Sequence, residues 1–183
     1  MLRFRQSVNL VVFFVSALFL VWFVLLMVGP FVVPAGSLQG LDGTVGVTDH
    51  DFSRLPVPWN LVYSVGDRFC HQMEDRTVVL GGNEMAFCAR CTGVWLGLFA
   101  GLLLISFFEI PLDSSLVWIF IFGLIPMAVD GGGQLLGLWE SFNFVRLLTG
   151  FLAGVVGGVA IGILIDEVKI MFLGKNRKTS GKF

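Results

Sequence analysis

Four long apolar segments dominate the pattern of hydrophobic and polar positions along the chain. They cover about residues 8–33, 92–108, 116–133 and 147–165, and Asp130 is the only charged residue within them. A helix of about 20 apolar residues rises far enough to cross a bilayer core about 30 Å thick. The pattern therefore predicts an all-α integral membrane bundle of four transmembrane helices, the first to fourth spans, in a single domain.

The first span follows Arg3 and Arg5, an arrangement that a cleaved signal peptide would share. Its apolar run is longer than the hydrophobic region of a signal peptide, which has about 7–15 residues. We therefore expect a retained helix. Cleavage near the sequence Pro-Ala-Gly-Ser at residues 34–37 is the alternative.

Glycines recur every four residues in the second and fourth spans. Residues four apart lie on one face of a helix, and glycines there let a neighbouring backbone approach closely. The two stripes predict that the second and fourth spans pack against each other. They consist of Gly93, Gly97 and Gly101, and of Gly150, Gly154, Gly158 and Gly162.

Residues 34–90 are the one long polar stretch, and we predict a long loop between the first and second spans. Residues 36–56 are rich in turn-forming and acidic residues, and His50 among them is interpreted as solvated. Residues 57–72 mix apolar and polar positions. They form either a short amphipathic helix at the membrane surface or a small packed core under the loop.

Composition supports the membrane assignment. Hydrophobic residues make up 56% of the chain, mean hydropathy is +0.87 and charged residues make up 14%, against about 25% in soluble domains. The net charge of −1 leaves no polybasic surface for nucleic acid. The expected partners are the lipid bilayer and a second copy of the chain or a larger membrane complex.

Charge along the chain predicts the orientation. Every lysine lies in the segment 169–183, and Arg3 and Arg5 precede the first span, whereas the loop carries four arginines and seven acidic residues. Positive residues favour the cytoplasmic side of a membrane. We therefore predict a plasma-membrane protein with both termini cytoplasmic and a cytoplasmic tail at residues 169–183. The loop and the connection between the third and fourth spans then share the outer side.

All three cysteines lie between residue 70 and the start of the second span. Cys88 and Cys91 form a Cys-x-x-Cys pair, and Cys70 is followed by His71. Three thiolates and an imidazole are typical ligands of a tetrahedral zinc or iron site. Neighbours such as Cys70 and His71 usually point apart, so both can bind one ion only in an irregular turn.

Two other interpretations of the cysteines stay open. A Cys-x-x-Cys pair at a helix N-terminus and near Arg90 has a lowered thiol pKa and can cycle between dithiol and disulfide. A structural disulfide suits an oxidising outer side but leaves one cysteine over. Arg76 and Arg90 either pair with acidic residues of the loop or hold an anion.

A second polar group, the polar belt, lies between the third and fourth spans. Ionisable groups at a membrane boundary are costly unless they are paired or functional. In one interpretation Glu140 or Asp130 pairs with Arg146, and Ser141 caps the fourth helix. In the other the belt joins the cysteines in one site, where a carboxylate is a ligand or proton acceptor and Arg146 clamps an anion. The belt consists of Asp130, Gln134, Glu140, Ser141, Asn143 and Arg146.

These residues resemble two motifs of a family of small prokaryotic membrane proteins defined as a domain of unknown function. The resemblance covers about residues 61–158, and Gly133 departs from the small hydroxyl residue often found there. It implies a multi-pass membrane protein and assigns no activity. The first motif matches Cys70, His71, Gln72, Arg76, Cys88, Arg90, Cys91 and Gly93. The second matches Asp130, Gly131, Gln134, Gly137, Glu140, Ser141, Asn143, Arg146, Thr149 and Gly150.

The leading hypothesis is therefore a multi-pass membrane protein with a Cys/His site for zinc or iron at the outer membrane face. The alternatives are a membrane thiol–disulfide redox protein, and a transporter or lipid-handling protein that uses the polar belt. The sequence leaves open whether the protein is an enzyme.

Overall fold

The computed structural model describes residues 3–110 and 114–180. Among the described residues, four helices are long and apolar enough to cross a membrane, which confirms the four predicted spans. The helices and strands are β1 (Arg3–Phe4), α1 (Leu10–Val28), α2 (Trp59–Phe69), β2 (Thr77–Leu80), β3 (Asn83–Cys88), α3 (Ala89–Phe107), β4 (Phe108–Glu109), α4 (Ser114–Leu135) and α5 (Asn143–Ser180). The candidate spans are Leu10–Phe31, Ala89–Phe107, Leu116–Leu135 and Asn143–Lys169.

The four spans alternate in direction through the bundle. β1 pairs antiparallel with β4, which puts the start of the chain beside the end of α3. Gly29, just after α1, lies instead against Tyr63 of α2. One end of the bundle, the cysteine face, therefore carries residues 32–88 and 136–142. The opposite end carries the start of the chain and the end of α3.

The closest helix contact lies between α3 and α5, as the glycine stripes predict. A methyl group added to Gly93, Gly97 or Gly101 would overlap the backbone carbonyl oxygen of the facing residue on α5. Those facing residues are Leu147, Phe151 and Val155. Because the residue numbers rise together along both helices, α3 and α5 run parallel, with their backbones touching at the stripes.

The outer surfaces of α1 and α4 are apolar. Phe14 and Leu18 of α1, and Trp118 and Phe122 of α4, are all exposed in the isolated chain. In a membrane protein such surfaces contact the lipid bilayer. The glycine stripes, by contrast, are used within the chain, between α3 and α5.

The segment 34–90 is a folded unit and not the single long loop that we predicted. It contains α2 and the antiparallel β2–β3 hairpin, and its core also takes in Leu26 at the end of α1. Every residue of β3 is buried, because α2 covers the strand on one side. Both interpretations of residues 57–72 hold in part: a helix forms, and its apolar side chains Val62 and Tyr63 enter a packed core.

Buried polar groups tie this unit to the bundle. Asn83 donates a hydrogen bond to the carbonyl oxygen of Pro30 (2.8 Å), after the end of α1. The Glu84 carboxylate accepts from the backbone N–H groups of Gly40 (2.9 Å) and Leu41 (3.2 Å). The Tyr63 hydroxyl donates to the carbonyl oxygen of Glu84 (2.8 Å). The long connection is therefore ordered by satisfied internal hydrogen bonds.

The helices extend beyond the predicted spans. α3 starts at Ala89, three residues before the predicted boundary, so Cys91 lies in its first turn. α5 covers Asn143–Ser180, where we predicted a span over about 147–165 and a separate tail. The tail contains four lysines, and lysine is a strong helix former. Hydropathy marks the apolar part of a helix and not its ends.

Candidate metal centre

The three cysteines reach one point from three neighbouring elements: Cys70 from the end of α2, Cys88 from the end of β3 and Cys91 from the first turn of α3. Cys70 directly follows α2, has an extended backbone, and donates its backbone N–H to the carbonyl oxygen of Gly66 (2.8 Å). Cys88 is the last residue of β3 and the N-cap of α3. Gly66 brings α2 and β3 together, because only a residue without a Cβ fits against the carbonyl oxygen of Ala86.

The three sulfur atoms form a compact triangle. All lie within 4.8 Å of one another, and all three cysteines are free thiols. The backbone N–H of Cys88 also donates to Cys70 Sγ (3.3 Å). A tetrahedral zinc with Zn–S bonds of about 2.3 Å would separate its sulfur ligands by about 3.8 Å. The triangle therefore has the size of a three-thiolate metal site.

The thiols interact electrostatically. Hydrogen bonds with the thiols of Cys70 and Cys91 lower the pKa of Cys88 to about 2. The reciprocal hydrogen bond with Cys88 raises the pKa of Cys70 to about 11. Close buried thiols oppose one another's ionisation, and a metal ion would bind them by displacing their protons.

His71 lies outside the group of three sulfurs. The extended backbone at Cys70 (φ −137°, ψ 143°) sends the side chains of Cys70 and His71 to opposite sides. The carbonyl oxygen of His71 accepts from the N–H of Gly43 (3.1 Å). His71 Nδ1 is buried and has no hydrogen-bond partner among the described residues. The imidazole is nevertheless near enough to act on the charge of Cys88.

Gln72 shapes the turn that follows Cys70. Its backbone has φ of 42°, in the left-handed region that residues other than glycine rarely adopt. Its fully buried side chain donates to the carbonyl oxygen of Ala86 (2.9 Å) on β3. Gln72 therefore fastens the Cys70 turn to the strand that carries Cys88, a role that the motif alone did not suggest.

The ion pairs of the polar belt differ from those of our first interpretation, in which Glu140 or Asp130 pairs with Arg146. Asp130 pairs with Arg90 of α3. Arg146 lies 3.9 Å from the carboxylate of Asp75, and Glu140 is exposed. The reason is the tertiary arrangement: the end of α4 meets the start of α3, whereas the start of α5 meets the segment before β2.

Gln134 connects the Arg90–Asp130 ion pair to Arg146. Its amide nitrogen donates to Asp130 Oδ2 (3.0 Å), and its amide oxygen accepts from Arg146 Nη2 (3.4 Å). Arg146 Nη1 donates to Asn143 Oδ1 (3.1 Å). Ser141 Oγ is buried near Asp130 without reaching hydrogen-bond geometry. The belt thus meets the cysteine segment through Arg90, which lies between Cys88 and Cys91 in the sequence.

Two contacts were missed at the sequence level. Asp75 provides both a carbonyl oxygen (2.9 Å) and a carboxylate for Arg146; its position next to Arg76 in the motif was the available signal. His50, interpreted as solvated, lies with Nδ1 2.8 Å from the carboxylate of the fully buried Asp67. The signal was that Asp67 follows the apolar Tyr63 by four residues and so shares its face of α2.

The fold and the site define a four-span membrane protein with a cysteine triangle and a polar belt at one end of the bundle. The family described as Predicted membrane protein (DUF2085) matches residues 70–165, slightly more than half of the chain. The chain belongs to this family, which confirms the resemblance. The match starts at Cys70 and includes the whole belt.

Two relatives are uncharacterised archaeal proteins. The chain is 46% identical over 96 residues to the protein MJ1492 of Methanocaldococcus jannaschii, a match that covers 51% of this chain and 61% of the relative. It is 35% identical over 104 residues to a protein of Methanothermobacter thermautotrophicus, covering 57% of this chain and 90% of the relative. The match to the first relative thus spans less than two thirds of that protein. No solved structure matches the chain significantly.

Proposed function

We propose that the protein is a membrane metalloprotein in which Cys70, Cys88 and Cys91 bind one zinc or iron ion. The observation that carries the proposal is the triangle of three free sulfurs within 4.8 Å of one another. A disulfide would use two sulfurs at about 2.05 Å and leave the third without a role. A tetrahedral ion uses all three.

Ligand chemistry favours zinc, with iron second. Thiolates are soft ligands that select zinc or iron–sulfur chemistry over magnesium or calcium. Three cysteines leave a fourth tetrahedral position. His71 is the candidate from this chain, because its buried Nδ1 lacks a partner among the described residues. To bind, its side chain must turn toward the sulfurs, since the extended backbone at Cys70 points it away from them. If His71 binds, the site is closed and structural; if an outside molecule binds, the ion is available as a Lewis acid.

The experiment is metal analysis of the full-length protein, purified in detergent under reducing conditions. We expect about one zinc per chain, and cobalt substitution should produce the intense thiolate-to-cobalt absorption of a three-sulfur site. Cys88→Ser and Cys91→Ser should each reduce that absorption and lose metal. Wild-type protein without stoichiometric metal after zinc is supplied would defeat the proposal.

The two histidines provide a matched pair of variants for the fourth position. His71→Ala should weaken zinc affinity if His71 is a ligand, by roughly tenfold or more. His50→Asn removes the other imidazole, which lies beside Asp67 and outside the sulfur triangle. It should leave the metal content unchanged. Equal metal affinity in the two variants would assign the fourth position to an outside molecule.

A thiol redox function is the second candidate, favoured by the position of Cys88 and Cys91 around the first turn of α3. It predicts a Cys88–Cys91 disulfide in equilibrium with glutathione at potentials near those of known exchange proteins, about −120 to −270 mV. Retention of both free thiols across that whole range would exclude it.

We also propose that the cysteine face is the outer face of the plasma membrane and that both termini are cytoplasmic. The support is the lysines that follow the fourth span and the arginines that precede the first. A protease-cleavable tag after residue 183 should be protected in right-side-out vesicles. Cleavage of the tag in sealed right-side-out vesicles would show that the C-terminus lies outside, which contradicts the proposed orientation. An assembly of several copies stays a prediction.

A further inference from the structure

We infer that the polar belt binds a phosphate-type oxyanion between the guanidinium groups of Arg90 and Arg146. This inference goes beyond the metal site and does not require it. It rests on three buried hydrogen-bond donors that lack acceptors, on the balance of charge around them, and on their place at one end of the spans.

The first observation is a buried arginine without a close carboxylate. Arg146 is only 4% exposed, and its direct acceptors are neutral: the carbonyl oxygen of Asp75, Asn143 Oδ1 and Gln134 Oε1. The nearest carboxylate contact is 3.9 Å, to Asp75, whose side chain is 64% exposed. Arg146 Nε has no hydrogen-bond partner among the described residues. A buried charge is costly unless an opposite charge compensates it.

The second observation is that two more donors near Arg146 lack acceptors. Arg90 pairs with Asp130 through Nη2, but its buried Nε has no partner among the described residues. Ser141 Oγ is likewise buried, and it lies near the Asp130 carboxylate but outside hydrogen-bond geometry. Unsatisfied buried donors are rare in folded proteins, and each needs an explanation. The unprotonated oxygens of an oxyanion accept hydrogen bonds, so a single bound group would satisfy several of these donors.

The charged side chains around Arg146 carry a net positive charge of one. The charged side chains that act on the Arg146 guanidinium are Arg76, Arg90, Asp75 and Asp130. With Arg146 itself, three arginines face two carboxylates. A monoanion at this point would balance the belt. The start of α5 adds the positive end of a helix dipole, because Arg146 lies in its first turn.

Space is available next to Arg90. A methyl group added at Gly131 would lie 3.7 Å from Arg90 Nη1 and would meet no other residue within 4 Å. The guanidinium therefore borders an open region, and Gly131 leaves it unobstructed. Planar guanidinium groups bind phosphate oxygens in pairs, which favours a phosphate-type oxyanion here.

A phosphate group at this site could come from two sources. The belt lies where α4 ends and α5 begins, at the edge of the spans, which is the level of phospholipid headgroups. Inorganic phosphate from solution presents the same oxygens. The experiment therefore separates the headgroup of a phospholipid from the free ion.

The test uses full-length protein, delipidated in a maltoside detergent that contains no phosphate. In one arm inorganic phosphate is titrated, and in the other short-chain phosphatidylglycerol is added. Thermal unfolding and phosphorus NMR report binding, with and without zinc. Binding in the first arm alone identifies the free ion, and binding in the second identifies a headgroup. Absence of binding in both arms overturns the inference and indicates that water satisfies the donors. A protein without metal that still binds phosphate separates this inference from the metal proposal.

Arg146→Gln should weaken phosphate or lipid binding by roughly tenfold or more, since a hydrogen bond to a charged group is lost. Arg54→Gln, a change at an exposed arginine of the cysteine face, should leave it unchanged. If Arg146→Gln does not fold, Ser141→Ala replaces it, because Ser141 Oγ makes no hydrogen bond within the described chain that folding would lose. Binding that is equal in wild type and Ser141→Ala would then overturn the inference.

Discussion

Gln72 donates its side-chain amide to the carbonyl oxygen of Ala86 over 2.9 Å, and this bond joins the two parts of the cysteine site. Cys70 lies two residues before one end of the bond, and Cys88 lies two residues after the other. The geometry of the triangle therefore depends on a residue that is not a ligand.

Replacement of Gln72 tests this dependence. Gln72→Ala should destabilise the folded protein by about 1–3 kcal/mol, because the buried carbonyl oxygen of Ala86 loses its donor. It should also lower zinc affinity. The matched control is Gln39→Ala, since Gln39 also donates to a backbone carbonyl (Gly82) but is exposed. Thermal unfolding and zinc titration measure both effects. Equal behaviour of the two variants would contradict the positioning role.

Replacement of glycine by alanine should have opposite effects at a glycine of a stripe and at a glycine outside the stripes. Gly97→Ala would place a methyl group against the carbonyl oxygen of Phe151 and should force α3 and α5 apart. Gly132→Ala on α4 meets nothing within 4 Å, so it should stabilise its helix by up to about 1 kcal/mol through helix propensity. Melting temperatures in detergent compare them. A stabilising Gly97→Ala would show that the helices do not pack at this stripe.

Loss of the ion pair between Arg90 and Asp130 should destabilise the protein more than loss of an exposed ion pair. Asp130→Asn should lower the free energy of unfolding by about 3 kcal/mol. This is the lower end of the range for buried ion pairs, because the Arg90 side chain is 19% exposed. Glu109→Gln, at the exposed partner of Arg5, should cost less than about 1 kcal/mol. A double-mutant cycle with Arg90→Gln measures the coupling. Additive single effects would mean that the two side chains do not interact.

Removal of the metal should expose all the thiols. In zinc-loaded protein the three thiolates are coordinated, so a small disulfide reagent should react with them slowly. After a chelator is added, three thiols per chain should react, and the melting temperature should fall because bound metal stabilises the folded state by mass action. Thiol counts over time give the measurement. Reaction rates that are the same with and without chelator would argue against coordination.

Much of the fold follows from local properties of the sequence. The four spans are visible because each carries its own apolar length, and hydropathy needs no partner to act. The α3–α5 contact was predictable because glycines every four residues mark a helix face wherever the helix lies. Residue type and spacing also singled out the three cysteines whose sulfur atoms lie together in the structure. Their role as metal ligands stays a prediction.

The remaining features were decided by tertiary structure. Residues 34–90 form a folded unit because α2 covers β3, and this contact joins segments about 20 residues apart in the sequence. That Asp130 meets Arg90 and not Arg146 depends on which helix ends lie side by side. The turn at Gln72 fixes which of its neighbours, Cys70 or His71, faces Cys88. A hydrogen bond to Ala86 on β3, a residue that lies far from Gln72 in the sequence, holds this turn in place. Residue type therefore determined which groups are available, and long-range packing selected which of them meet.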